Sequence, residues 1–350
     1  MNRNEIHIGI DVAFAKNKIL PVCAVKASSG KLVPLRVANI NLPDLPRGRG
    51  NVATLDETVV AEFAQGVRRW LRELERQLNA PIGVIAIDAP ASYSLGGRRK
   101  CEQAMDARGI SCFATPTREK FEEIREKVRV HLEDGGAESR LPHANQLWML
   151  VGFALFEELG KDYRCMEVFP QAIARTLGAS DIHKFKKAGV DAQLAAIASR
   201  TGWQPDALRS ELRHCVTAPL HDQVDAYMCA WVASLYPDGL EACGEPPHDA
   251  IWIPRLEGVA IQPAVESQGA EAAADELAFP VVEVPVPDVT ADCQCCRSGT
   301  PKLGPRMCPA CGHQFRGGNW GGIDAHWRAR HEDLMPYEVF WQSLCPQHRG

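Results

Sequence analysis

The segment VIAIDAP, residues 84–90, predicts a buried β-strand that ends on a carboxylate. Its apolar run has the length of a strand, and the proline that follows stops regular strand pairing. Residues 59–78, just before it, carry apolar side chains at helical spacing. Because a strand that follows a helix predicts a parallel crossover, this segment indicates a layered α/β domain.

The rest of the first 240 residues fits the same plan. Residues 5–40 contain three apolar runs separated by polar turns, which predicts an antiparallel β-meander. Downstream, residues 97–159 are predicted to be mostly helical. The further predicted elements are a strand at 163–169 and helices at 172–177, 191–201 and 222–235. We therefore expect a mixed sheet flanked by helices.

Five acidic residues lie in or beside apolar segments of this domain: Asp11, Asp88, Glu167, Asp222 and Asp225. A carboxylate in apolar surroundings is costly unless it binds a cation or is hydrogen-bonded. Taken singly, the acids at strand ends also fit turn or capping positions, and an acid at a helix start can bind free backbone N–H groups. Taken together, they favour one divalent-metal site.

Composition limits the classes of protein to consider. The formal charge of −5 argues against a globally basic nucleic-acid coat but permits a local basic groove. No apolar run approaches the roughly 20 residues of a membrane span, and the N-terminal residues lack the features of a signal peptide. We expect a cytoplasmic protein without a membrane partner. Clustered cysteines near the C-terminus favour a metal site over disulfides.

Several motifs carry a family resemblance. They are Ile10-Asp11, Ile87-Asp88-Ala89-Pro90, Glu167-Val168-Phe169-Pro170, the Lys184–Gly189 segment and Asp222-Gln223-Val224-Asp225-Ala226. Over residues 5–236 the chain resembles a bacterial family of predicted nucleases of unknown function with a ribonuclease H-like fold. The last motif also resembles that of RuvC-type Holliday junction resolvases. The sequence departs from the family at Gln171, where an acid is frequent.

The resemblance implies a metal-dependent nuclease that hydrolyses phosphodiester bonds at two Mg or Mn ions. The implied metal ligands are Asp11, Asp88, Asp222 and Asp225, and Glu167 matches a further family acid in the implied catalytic set. The candidates to hold substrate phosphates are Arg98, Arg99, Lys184 and Lys187, although such charges also fit a solvated helix face. RuvC-like enzymes are dimers, and the sequence leaves a homodimer open.

A second metal site is predicted near the C-terminus. Cys308 and Cys311 form a two-residue-spaced pair, and His326 and His331 follow after a gap of 14 residues, as in a Cys-Cys-His-His zinc finger. The alternative is a ribbon of Cys293, Cys296, Cys308 and Cys311, which leaves His326, His331, Cys345 and His348 for a second ion. In either case zinc is structural. Fingers bind nucleic acid or protein, and both partners remain open.

We therefore predict three regions: a ribonuclease H-like nuclease domain at 1–240, a linker or extension at 241–290, and a zinc-finger module at 291–350. The predicted function is metal-dependent cleavage of nucleic acid, with the finger docking substrate or partner. The alternative is a non-catalytic nucleic-acid or protein-binding regulator on the same fold. A nucleotide-binding protein of the actin-like plan is less favoured, since no glycine-rich phosphate loop follows the strands.

Overall fold

The computed structural model describes residues 5–37, 40–179, 182, 184, 186–256 and 327. The chain divides into two units, Met1–Gln268 and Gly269–Gly350, and every described residue except Trp327 belongs to the first. The strands are β1 (Ile6–Asp11), β2 (Val22–Ser28), β3 (Lys31–Pro34), β4 (Ile82–Asp88), β5 (Arg164–Glu167), β6 (Leu240–Glu245) and β7 (Asp249–Pro254). The helices are α1 (Glu57–Leu78), α2 (Lys100–Ala107), α3 (Arg118–Glu133), α4 (Ala144–Leu147), α5 (Met149–Leu159), α6 (Pro170–Thr176), α7 (Lys187–Arg200), α8 (Pro205–Cys215) and α9 (Leu220–Ser234).

Five strands form one mixed sheet in the order β3-β2-β1-β4-β5. The first three make an antiparallel meander, whereas β4 pairs parallel with β1 and β5 pairs parallel with β4. Helix α1 connects β1–β3 to β4, as the predicted crossover requires. The predicted mixed sheet flanked by helices is thus confirmed.

Side-chain alternation along the strands divides the core into two layers. On one face Ile8, Ile10, Ile85 and Ile87 pack in a cluster with residues of α1 and α5. On the other face Val84 and Ala86 pack in a cluster with residues of α7, α8 and α9. Since residues two apart share a face, Asp11 and Asp88 lie on the side of the sheet that α9 covers.

Helix α9 crosses β1 at very short range. A Cβ atom at Gly9 would lie 2.0 Å from the carbonyl oxygen of Ala226 and 2.3 Å from the backbone nitrogen of Ala230. Glycine is therefore needed for the backbones to approach this closely. The sequence predicts that the apolar helix after Asp225 is buried, and nearly all of α9 from Asp222 to Ser234 is.

Residues 240–254 form a β-hairpin, although the sequence predicts that a linker or extension begins at 241. Strands β6 and β7 pair antiparallel, and Cys243, Ile251 and Ile253 pack with Cys101 and Met105 of α2. The Asp249 carboxylate accepts hydrogen bonds from the backbone N–H groups of Lys100 (2.8 Å) and Cys101 (3.2 Å) at the start of α2. The hairpin is thus part of the folded domain. Helix α8 is a second element that the sequence pattern does not predict.

The predicted zinc ligands lie outside the described residues. This applies to Cys308, Cys311, His326 and His331, and to the alternative ligands Cys293, Cys296, Cys345 and His348. Within the described part of the chain, no helix has the length and apolar character needed to cross a membrane.

Candidate metal centre

Two aspartates end neighbouring parallel strands at the same level of the sheet. Asp11 of β1 and Asp88 of β4 are direct register partners, so their side chains leave the same edge and the same face. Asp11 is buried and Asp88 is partly buried. The family resemblance implies that these two acids share a metal site, and that role stays a prediction.

Helix α9 brings two further aspartates to this edge. Asp222 and Asp225 lie in its first two turns, three residues apart, and therefore on one helical face. Asp225 is completely buried, and Asp222 is 5% exposed. The charges of Asp225, Asp88 and Asp222 all raise the pKa of Asp11, and Asp225 also raises that of Asp88. The four carboxylates therefore share one electrostatic environment.

A lysine enters the same cluster from the segment before α7. The Lys184 Nζ donates a hydrogen bond to Oδ2 of Asp225. Oδ1 of Asp225 is buried and has no hydrogen-bond partner among the described residues. A fully buried carboxylate with one oxygen unpaired is costly, since it keeps only part of its solvation.

Asp222 is neutralised by a different lysine. The Lys18 Nζ lies 2.7 Å from its Oδ2, and Nε2 of His221 lies 3.2 Å from its Oδ1. Lys18 belongs to the polar segment between β1 and β2, so the meander contributes a cation as well as Asp11. Asp222 and Asp225 therefore each have a lysine partner, and these are different lysines.

Burial raises the pKa values of three carboxyl groups of the cluster. It raises the pKa of Asp11 well above its ordinary value, and the charges of Asp225 and Asp88 raise it further, whereas Lys184 lowers it. Burial likewise raises the pKa of Asp88 to about 7 despite the opposing charge of Lys184. It also raises the pKa of Asp225, against the opposing charge of Lys184. Lys184 therefore offsets only part of the cost of burying these charges.

Glu167 lies on the other face of the sheet from the aspartates, although its charge contributes to the raised pKa of Asp88. It is the register partner of Ile87, so it occupies the sheet face opposite to that of Asp88. Its Oε1 accepts from Nη2 of Arg99 at 2.6 Å, and its Oε2 accepts from Nη1 of Arg99 and from the backbone N–H of Ala91, both at 2.9 Å. This bidentate pair satisfies the buried carboxylate of Glu167, which therefore needs no metal ion to compensate for its burial. The predicted catalytic role of Glu167 stays a prediction.

Arg99 joins a second carboxylate to this pair. Its Nε donates to Glu102 Oε1 at 2.9 Å, and the same oxygen accepts the backbone N–H of Thr115 at 2.8 Å. Arg99 is 7% exposed, so its guanidinium holds protein carboxylates in this structure. It thereby ties the start of α2 to the end of β5.

The other predicted phosphate contacts differ in their surroundings. Arg98 is partly exposed, and it pairs with Asp106 through Nη2 at 2.7 Å and donates to the carbonyl of Cys112 at 3.1 Å. Lys187 is exposed as the first residue of α7. Of the four basic residues predicted to bind phosphate, Lys184 is the one that contacts an aspartate of the cluster. Phosphate binding by these residues stays a prediction.

The donor chemistry of the cluster fits a hard divalent cation. Its ligands are carboxylate oxygens, which Mg and Mn prefer, and the unpaired Oδ1 of Asp225 is an oxygen that a cation would satisfy. However, within the residues that the structure describes, no three His, Cys, Asp or Glu side chains already form a group arranged to hold an ion. A divalent ion would therefore have to draw the carboxylates together, with Asp11, Asp88 and Asp225 as the nearest candidates.

Three features of this centre are absent from the sequence prediction: the Lys18–Asp222 pair, the Arg99–Glu167 pair, and the position of Lys184 among the aspartates. Each pair joins segments that are far apart in the chain, and the sequence pattern contains no local signal for it. Gly9 gives a partial signal, since a glycine inside an apolar strand indicates close backbone approach.

Comparison with curated proteins and with solved structures gives no match. A family model does match: it is described as "Protein of unknown function (DUF429)" and covers residues 44–249. The matched region contains Asp88, Glu167, Lys184 and both aspartates of α9, and it exceeds half of the chain. The chain therefore belongs to the DUF429 family.

Proposed function

We propose that this protein is a divalent-metal-dependent nuclease on a ribonuclease H-like domain. The observation that carries the proposal is the convergence of Asp11, Asp88 and Asp225 at one sheet edge, with a buried oxygen of Asp225 left unpaired. An antiparallel meander extended by two parallel strands, with a helix across its central strand, supports the ribonuclease H-like assignment. The resemblance of the α9 motif to RuvC-type resolvases supports the same reaction class.

In this proposal Asp11, Asp88, Asp222 and Asp225 hold Mg or Mn, of which the resemblance implies two ions. When bound, such an ion polarises the phosphate and promotes ionisation of an attacking water. The water oxygen forms a bond to phosphorus while the bond to the leaving oxygen breaks. One proton leaves the water, and the leaving oxygen gains one, which yields a phosphate monoester and a hydroxyl group.

The residues of this chain position that chemistry. The register pair Asp11–Asp88 rests on two buried strands, and α9 is fixed by its packing over Gly9, so three carboxylates stand on rigid elements. Arg99 and Glu167 hold the loop after β4 through the Ala91 N–H, directly beyond Asp88. Arg98, Arg99, Lys184 and Lys187 are the proposed basic residues around the substrate, with Lys184 nearest the aspartates.

The C-terminal region completes the proposal. Cys308, Cys311, His326 and His331 are proposed to bind a structural zinc ion that docks nucleic acid or a protein partner. We place the protein in the cytoplasm, since its sequence favours reduced, metal-binding cysteines. Whether the substrate is DNA or RNA is left to the experiment below.

One observation favours a second candidate function. Lys18 and Lys184 already neutralise two of the aspartates, and the described side chains include no ready metal-binding group. This is what a regulatory nucleic-acid or protein-binding protein would show if the acidic site were purely structural. That candidate predicts binding without cleavage.

The two candidates are separated by a cleavage assay on labelled single-stranded, duplex and branched DNA and RNA. The assay compares wild type with Asp11→Asn and Asp225→Asn, with and without Mg or Mn. Asp134→Asn is the matched control, because Asp134 is an exposed aspartate at the end of α3. We expect metal-dependent cleavage by wild type and the control and its loss in the two site variants. Tight binding with intact substrates in all four proteins would favour the regulator.

A further inference from the structure

Lys184 contacts the carboxylate cluster at its most buried member. Its ammonium group donates to Asp225, which has no exposed surface. The Lys184 side chain is 31% exposed, so the lysine lies at the boundary between the buried cluster and solvent.

The charges of the site set a limit on how many ions it takes. Among the described residues, the four aspartates carry four negative charges when all are ionised, and their lysine partners Lys18 and Lys184 supply two positive ones. A neutral His221 beside Asp222 adds no charge, and Arg99 pairs with Glu167. The remaining two negative charges match one divalent cation. A second divalent ion would leave an excess of positive charge in a buried site, which is unfavourable unless a lysine leaves.

We propose that Lys184 takes the place of one cation, so that the carboxylate site binds a single divalent ion beside the lysine ammonium group. This inference rests on the proposed nuclease function and revises its ion count from two to one. The unpaired Oδ1 of Asp225 would be a ligand of that ion, while Oδ2 would keep the hydrogen bond from Lys184. Asp225 thus links the two positive charges.

The role of Lys184 follows from its chemistry. A lysine ammonium group is a compact positive charge that binds phosphate oxygens. Next to the ion, it would stabilise the negative charge that develops on phosphate oxygens as water attacks phosphorus. The balance of the reaction is unchanged. Water adds to phosphorus, the leaving oxygen gains a proton as water loses one, and Lys184 neither gives nor takes a proton. Lysine is then required for the rate, and a neutral side chain of the same length does not replace it.

The test counts Mn²⁺ ions bound by the full chain, by isothermal titration and by electron paramagnetic resonance of free Mn²⁺. The double variant Asp11→Asn/Asp225→Asn is the blank, so that ions bound elsewhere are subtracted. The test variant is Lys184→Met, which is similar in shape and uncharged, and Lys184→Arg retains the charge. Lys161→Met is the matched control, because Lys161 pairs with Glu158 at the end of α5 and not with the cluster.

We expect one site-specific Mn²⁺ in wild type, in Lys184→Arg and in the Lys161→Met control. Lys184→Met should bind two, or bind its one ion at least about tenfold more tightly, because a competing positive charge is gone. It should also cleave more slowly than wild type when saturated with Mn²⁺.

Four results would overturn the inference. If wild type cleaves and binds two site-specific ions, the single-ion inference is wrong and the nuclease proposal still holds. Unchanged Mn²⁺ number and affinity in Lys184→Met would show that the lysine holds no ion position, and faster cleavage by this variant would show that Lys184 blocks the site. A wild type that binds no ion and cleaves nothing would overturn the proposed function as well. The wild-type count is informative even if the lysine variants fold poorly.

Discussion

Asp11 and Asp88 are direct register partners on neighbouring parallel strands, and both lie on the sheet face that α9 covers. The chain thus places two carboxylates side by side at a sheet edge where helix packing removes water. Like charges so placed oppose one another unless a cation or a proton intervenes. Stability and metal response should both depend on that opposition.

Replacing Asp88 with asparagine should stabilise the metal-free protein at high pH. In the folded state burial raises the pKa of Asp88 to about 7 from an ordinary value of 3.8. Below pH 3.8 the Asp88 carboxyl is protonated in both the folded and the unfolded state, so it does not change the free energy of unfolding. As the pH rises through the interval to about 7, only the unfolded state ionises freely, and stability falls. Asp88→Asn should therefore gain about 1–3 kcal/mol at pH 8 relative to wild type.

The measurement is urea unfolding between pH 4 and pH 8 without added divalent metal. Asp134→Asn serves as the control, since its side chain is exposed and removed from the cluster. Parallel curves of unfolding free energy against pH for wild type and Asp88→Asn would contradict this account.

Divalent metal should stabilise the folded chain through Asp225. An ion that binds only the native state raises its stability by an amount that grows with the ratio of concentration to dissociation constant, about 2.7 kcal/mol at a hundredfold excess. Asp225 is the residue to replace because its Oδ1 is buried and has no hydrogen-bond partner among the described residues, so a bound cation would satisfy it. We expect thermal unfolding of wild type to move to higher temperature with rising Mn²⁺ and that of Asp225→Asn to stay nearly constant. Equal shifts in both proteins would assign the effect to another site.

Much of this architecture could be predicted from the sequence because it rests on local patterns. The apolar runs of β1 and β4 end on Asp11 and Asp88, and the two acids meet at one edge because these strands pair in parallel. The α9 aspartates follow from their three-residue spacing and from the apolar helix after them. These features need only periodicity and the rule that parallel strands share an edge.

The remaining features depend on long-range pairing. The sequence indicates that a buried Glu167 needs a partner, but it does not identify Arg99, which lies 68 residues earlier in the chain and supplies two hydrogen bonds. The sequence pattern does not predict the β6–β7 hairpin, because Pro246 and Pro247 lie at its turn and prolines are typical of a linker. Its stability comes from packing on α2, which no local pattern records.

Replacing Gly9 with alanine should disrupt the contact that places Asp225 opposite Asp11. The added Cβ would lie 2.0 Å from the Ala226 carbonyl oxygen, so α9 must move away from β1. Overpacking of this kind against backbone should cost about 3 kcal/mol or more. Gly96→Ala is the control, since nothing described lies within 4 Å of its added Cβ. Denaturant midpoints measure both variants, and a Gly9→Ala midpoint equal to wild type would rule out the tight helix–strand contact.

Replacing Arg99 with methionine should be among the most destabilising single changes in the domain. It leaves Glu167 and Glu102 buried without the guanidinium that satisfies both, and breaking a buried ion pair from one side costs about 3–5 kcal/mol. Arg98→Met is a neighbouring control, because its partner Asp106 is largely exposed and such pairs contribute about 1 kcal/mol or less. The double variant Arg99→Met/Glu167→Gln should recover part of the loss, since the amide carries no buried charge. Equal unfolding free energies for Arg99→Met and Arg98→Met would show that the buried network stabilises the domain no more than the exposed pair does.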